Sequence, residues 1–464
     1  MRPVVALLTP QQVLGFVLLD VLVILVVARS LGALARRLGQ PTVVGEIVAG
    51  VLLGPTLLGP TLFVWGSPPG PLHCDASLEG SEVVASIGNC LFPPQAKSVL
   101  GVIGQVALIL YMFLVGAEVR HDMLKGKGRA IGLVAFGVIA VPVALGFVLG
   151  PVLYDAKWVA GFGGDAQPSQ TAFSLMVGAI LSVTAFPVMA HILQEKKLST
   201  SPMGSVGIAS TAALSVLMFL TVAVASSIAR DASAGSIATT LVVAAVYLAV
   251  VFFVVRPALA PLGRRIEAAG RVDETAFGII FVLVFASAYA ADRIGINVIP
   301  GAFLIGVVLP ARSITFPQLR EKLRDLTLVV LLPVFLAFSG LNTDFTKLGI
   351  SYVVGITLFL VAGIAGKWLA GAGFARLGGL SWAEGNVIGV LMNCRGLLVL
   401  VVALIALQDG VISGGLQVAA VLMALITTMM TGPLFDRFSA SLPGAAAGPT
   451  VAEADVRPAG AAVP

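Results

Sequence analysis

The residues of this chain with chemical capacity are ionisable side chains set inside long apolar runs. Asp20, Glu46 and Glu118 supply carboxylates and Lys367 and Arg395 supply cations, each within or at the end of a stretch rich in Ala, Val, Leu, Ile and Gly. In lipid such a group costs roughly 2.5–3.5 kcal/mol even on the lenient insertion scale, so it needs a partner, a water cavity or a task. The tasks open to these residue types are binding a proton, binding an ion and neutralising one another. Lys367 can shed its charge by releasing a proton, whereas Arg395 must meet carbonyls, water or a carboxylate. Glu46 lies among small residues between Pro41 and Gly50, where helices approach closely, and is the leading candidate proton carrier. Asp20 and Glu118 are the further candidates. Asp20 also reads as a helix-pairing residue, and Glu118 as an interfacial one beside the basic cluster Arg120–Arg129.

Two segments are poor continuous helices. Ser182-Val-Thr184-Ala-Phe-Pro187 contains a proline, which removes a backbone hydrogen bond and frees carbonyls. Met392-Asn393-Cys394-Arg395-Gly396 is built of weak helix formers. Interrupted helices in the two halves of a chain are a device for holding ions at the bilayer midplane, so Ser182, Thr184, Pro187, Asn393, Arg395 and Lys367 are the expected ion pathway. No nucleophile with a paired base, phosphate-binding loop or metal-ligand cluster accompanies them, and neither enzymatic chemistry nor a cofactor is expected. His73, His121 and His191 read as polar surface residues, and Cys394 as a small packing residue.

The elements that must position these groups are membrane spans. The chain has 464 residues, 58% of them hydrophobic and 11% charged, with a mean hydropathy of +1.03, which places it among membrane proteins. Apolar runs predict an all-α fold of thirteen spans, near 11–28, 43–59, 98–117, 130–153, 171–193, 204–229, 234–255, 275–291, 295–310, 325–341, 349–371, 385–407 and 415–435. The first reads as a retained span, not a cleaved signal. Alternate loops hold nineteen and six cations, so the positive-inside rule puts the N-terminus outside and the C-terminus in the cytoplasm. Those cations are too dispersed for nucleic acid, despite a net charge of +5. The long outer loop, 60–97, carries Cys74 and Cys90, which an oxidising compartment would allow to pair. Residues 1–435 form the transmembrane domain in this reading, and 436–464, rich in Ala, Gly and Pro, a disordered cytoplasmic tail.

Several stretches resemble signatures of the second monovalent cation/proton antiporter family, the bacterial sodium or potassium/proton exchangers: Pro41–Pro55, Phe113–Glu118, Thr184–Val188, Gly301–Gly306, Leu332–Leu341 and Met392–Leu397. The resemblance covers about residues 30–435. It implies an inverted-repeat fold with two crossing discontinuous helices, a homodimer in the bacterial inner membrane, and a monovalent cation and a proton as cargo. In that family the sixth span carries Asp-Asp or Asn-Asp, the last Asp binding cation and proton in competition. Here the stretch reads Ala209-Ser-Thr211-Ala-Ala-Leu214-Ser215, with Leu214 and Ser215 where the acids are expected and no acid between Lys197 and Arg230. His191 also replaces a frequent Arg. Lys367 matches a lysine that pairs with the acid in some members. The leading expectation is a proton-coupled cation exchanger whose acid has migrated, with Glu46 as carrier. The alternatives are an exporter of an organic anion or ionophore-like product on the same scaffold, motivated by a cationic centre at Lys367 and Arg395, and a non-transporting receptor or enzyme.

Overall fold

Helices start where capping side chains precede the apolar runs. In the computed structural model α1 (Pro10–Arg37) opens on a Thr9/Gln12 capping box and ends with Arg36 and Arg37 against its negative pole. The structure describes residues 9–54, 92–118, 128–154, 158–159, 168–185, 189, 192–193, 196, 198, 201–230, 234–310, 312–341, 343, 345, 350–440 and 442. The remaining helices of the first half are α2 (Thr42–Leu53), α3 (Pro94–Glu118), α4 (Gly128–Leu153), α5 (Gln170–Ser182) and α6 (Pro202–Arg230). Next come α7 (Ala234–Val250), which runs through a π turn at Val251–Val255, then α8 (Ala260–Ala269), α9 (Glu274–Arg293) and α10 (Val298–Val307). A second π turn, Leu326–Leu331, joins α11 (Arg312–Asp325) to α12 (Leu332–Leu341). The chain closes with α13 (Ile350–Leu377), α14 (Trp382–Met392), α15 (Gly396–Gln408) and α16 (Gly414–Ser439).

The fold is all-helical among the described residues, and each predicted span contains a helix. The count of thirteen spans is not reached by length. Nine described helices are long and apolar enough to cross a membrane, ten when α14 and α15, bent by 50° at their break, are taken as one span. The segments predicted at 43–59, 171–193 and 295–310 hold helices of only 12, 13 and 10 residues. The last is short because Gly295 and Asn297, at φ 80° and 81°, form a turn where a longer helix was expected, and the helix stops before Pro310. At the other end of the chain α16 is longer than expected and continues to Ser439, past the boundary set at 435. Cys74, Cys90, most of the 60–97 loop and residues 443–464 lie outside the described residues.

Close packing falls into two neighbourhoods. α1, α2, α3, α9, α10 and α12 form one, with α2 and α3 both seated on α12 and α3 on α10. Glycines make these approaches possible: a side chain on Gly116 would meet the Phe303 carbonyl oxygen at 2.1 Å, and one on Gly306 the Phe113 carbonyl oxygen at 2.2 Å. The other neighbourhood holds α4, α5, α6 and α13–α16, with α4 between α5 and α13 and α15 against α16. Both interrupted segments belong to it.

Candidate functional site

Helix α5 stops at Ser182 because Val183 turns extended, at φ −58° and ψ 137°. Its last carbonyls then have no intrahelical donors, the usual condition of a helix C-terminus but here deep in the protein. Two buried cations from the other half of the chain meet them. Arg395 donates from Nη1 to the Ile180 and Leu181 carbonyls at 3.1 and 2.7 Å, and from Nη2 to Gly363 on α13 at 2.5 Å. Lys367, on α13, donates from Nζ to the carbonyls of Ser182 and Val183. Both side chains are wholly buried. Positive charge at a helix C-terminus is favourable, which accounts for the two buried cations without a carboxylate.

The extended residues after α5 cross the break between α14 and α15. The Ala185 N–H donates to the Cys394 carbonyl at 2.6 Å, and the Thr184 hydroxyl donates to the Met392 carbonyl at 3.0 Å. Gly396 opens α15 at φ 47° and gives its N–H to the Thr428 hydroxyl of α16 at 3.2 Å. Asn393 donates through its side-chain amide to the Ile364 carbonyl at 2.9 Å, leaving its buried Oδ1 without a hydrogen-bond partner. Ser182, Thr184, Asn393, Lys367 and Arg395 are thus brought together, whereas Pro187 and His191 lie outside the described residues.

Helix α6 borders the crossing through Thr211, whose hydroxyl lies 3.5 and 3.6 Å from the sulfurs of Met189 and Met392. That hydroxyl also donates to Gly207 at 3.0 Å, and Ser215 donates to Thr211 at 3.0 Å, so both are tied to their own helix. Leu214 is buried in the apolar core.

The three candidate carriers are elsewhere. Glu46 is buried on α2 and forms an ion pair with Arg29 of α1 at 3.6 Å. Asp20 is wholly buried on α1, its carboxylate oxygens without hydrogen bonds, and the cation acting on it is Lys97 of α3. Glu118 ends α3, half-buried, with Arg320 of α11 as its neighbouring charge. Among the described residues, none of the three is hydrogen-bonded or ion-paired to the crossing. Sequence reasoning missed the carbonyls of residues 180–183, Gly363 and Ile364, as well as Thr428 and the two methionine sulfurs. Backbone oxygens carry no sequence signature, and only the break at 183 signals that they are free.

Among the described residues no group of His, Cys, Asp and Glu is arranged to hold a metal ion. The site is a set of neutral oxygens occupied by two side-chain cations.

The model of the sodium/hydrogen exchanger transmembrane family matches residues 22–438. The chain is 33% identical over 423 residues to the Na(+)/H(+) antiporter NhaS4 of Synechocystis sp., covering 90% of this chain and 96% of that protein. It is 29% identical to the K(+)/H(+) antiporter 1 of Saccharomyces cerevisiae, over 85% of this chain but only 43% of the yeast protein, so it spans less than half of that relative's length. Among solved structures it is similar to the sodium proton antiporter MjNhaP1 of Methanocaldococcus jannaschii, at a TM-score of 0.65 and 15% identity, covering 92% of this chain and 99% of that one, a likeness of fold.

Proposed function

This chain belongs to the sodium/hydrogen exchanger family, and on that premise we propose that it is a secondary transporter exchanging sodium or potassium for protons at the crossing of residues 183–185 with residues 392–395. One observation carries the assignment of the site: the buried α5 carbonyls freed at the break are met by side-chain cations, with no carboxylate beside them among the described residues. Neutral oxygens of this kind replace the hydration shell of a monovalent cation. The same geometry weighs against an organic-anion cargo, because Lys367 and both terminal nitrogens of Arg395 are already engaged by carbonyls. In this reading the protein is a homodimer of the bacterial inner membrane with its N-terminus outside, and the residues after Ser439 form a cytoplasmic tail.

Everted vesicles from a bacterial strain without its own sodium and potassium antiporters test the reading. Respiration acidifies the lumen, and sodium or potassium added to vesicles carrying this protein is expected to restore the pH-dye signal. Absence of recovery with lithium, sodium or potassium across roughly pH 6.5–9, the range that tuned ionisable groups cover, would refute cation/proton exchange.

A further inference from the structure

We propose that Lys367 is the proton-carrying group of this exchanger: as an ammonium it holds the Ser182 and Val183 carbonyls, and on releasing its proton it yields them to the transported monovalent cation. This rests on the exchange reading above and supplies the competition that Leu214 and Ser215 cannot.

The α4, α5, α6 and α13–α16 neighbourhood contains no acid within its described helices that is free for the task. Its acids lie at helix ends, and each has a partner: Glu384 in a capping box with Ser381, Asp409 accepting from Ser226 at 2.5 Å, and Asp436 paired with Lys196 at 2.6 Å. Among the described residues, the groups facing Lys367 with a charge or a titratable proton are Arg395 and the buried Cys394 thiol. A proton that competes with a cation at the crossing therefore has Lys367 as its carrier, since Arg395 cannot release one.

The geometry supplies the competition. Lys367 Nζ lies on two carbonyls left by the end of α5, where a bare cation would find its ligands. Asn393 Oδ1, buried and unpartnered, belongs to a side chain fixed on Ile364, one turn before Lys367 on α13, and offers a third neutral oxygen. Arg395 holds the carbonyls of residues 180 and 181 and Lys367 those of residues 182 and 183. The first is a fixed cap and the second a removable one. Two positive charges do not share the same oxygens, so the step is R–NH3⁺ plus M⁺ giving R–NH2 plus bound M⁺ plus H⁺. The proton leaves to water on the side to which the site is open. The site holds one exchangeable positive charge in either state, so exchange is one for one and electrically silent.

The full chain in proteoliposomes with a trapped pH dye tests this. Wild type is expected to show an apparent KM for sodium or potassium that falls about tenfold per pH unit while the carrier titrates, insensitive to an imposed membrane potential. Lys367→Arg keeps the charge and the donors but cannot deprotonate, and its exchange is expected at background. Lys367→Met is expected to pass labelled sodium or rubidium without moving protons. Asp20→Asn combined with Glu46→Gln is expected to retain the pH-dependent exchange. Exchange by Lys367→Arg, or its loss in the double acid variant, overturns the role of Lys367 while leaving the antiporter reading intact. A wild type inactive with every alkali cation overturns both. If the Lys367 variants do not yield monodisperse protein, cation addition to the double acid variant in weakly buffered detergent decides: release of a proton supports the proposal, and its absence overturns it.

Discussion

At the scale of single residues, Arg395 is the most constrained side chain in the protein. It is wholly buried, and its terminal nitrogens satisfy carbonyls of α5 and α13. Arg395→Gln strands those oxygens, and a buried carbonyl left without its donor costs about 1–3 kcal/mol. The expected result is a large fall in the detergent melting temperature, with Arg395→Lys intermediate because an ammonium reproduces the charge but not the fork. Equal melting temperatures for wild type and Arg395→Gln would show that the carbonyls find other donors. Ser215→Asp tests the residue that departs from the family pattern. A carboxylate on α6 gives cations a permanent negative partner, so transport is expected to acquire a second pH dependence in the acid range, visible in the profile of initial rates. The sequence marked both cations as needing partners, because their burial in apolar runs has a known cost. It could not name those partners, since every residue carries a carbonyl.

Helices read from apolar runs were placed well, and the two interrupted segments stood out through Pro187 and the Asn393–Gly396 stretch. The exact stop of α5 was less legible. The helix ends at Ser182, five positions before the proline, and the Val183 carbonyl that follows is held by Lys367, 184 positions away. Glycine contacts were legible only as small-residue patterns. Gly116 and Gly306 turn out to be reciprocal, each against a carbonyl of the other's helix. Gly116→Leu forces α3 away from α10, and overpacking of this kind costs about 1–3 kcal/mol. A lower melting temperature and reduced exchange are expected, whereas Gly132→Leu, where a side chain would meet nothing within 4 Å, should leave stability near wild type. Matching losses in the two variants would argue against a role for close approach.

For the whole molecule, hydropathy placed the chain in the membrane and the distribution of loop cations predicted its orientation. Green fluorescent protein fused after residue 440 is expected to fluoresce and alkaline phosphatase at the same place to be inactive; the reverse pattern would invert the topology. The separation into two neighbourhoods was invisible in the sequence, because both are equally apolar and differ only in which helices touch. The crossing within the second neighbourhood also orders the protein's birth. The C-terminus of α5 is completed by Lys367 and Arg395, which lie 185 and 215 residues from the carbonyls they cap. At roughly 5–20 residues per second, a ribosome needs about 10–40 s to supply the first of them. Throughout that interval the nascent half enters the translocon with a helix end that lacks its two cationic caps, and only the synthesis of Lys367 and Arg395 can close it.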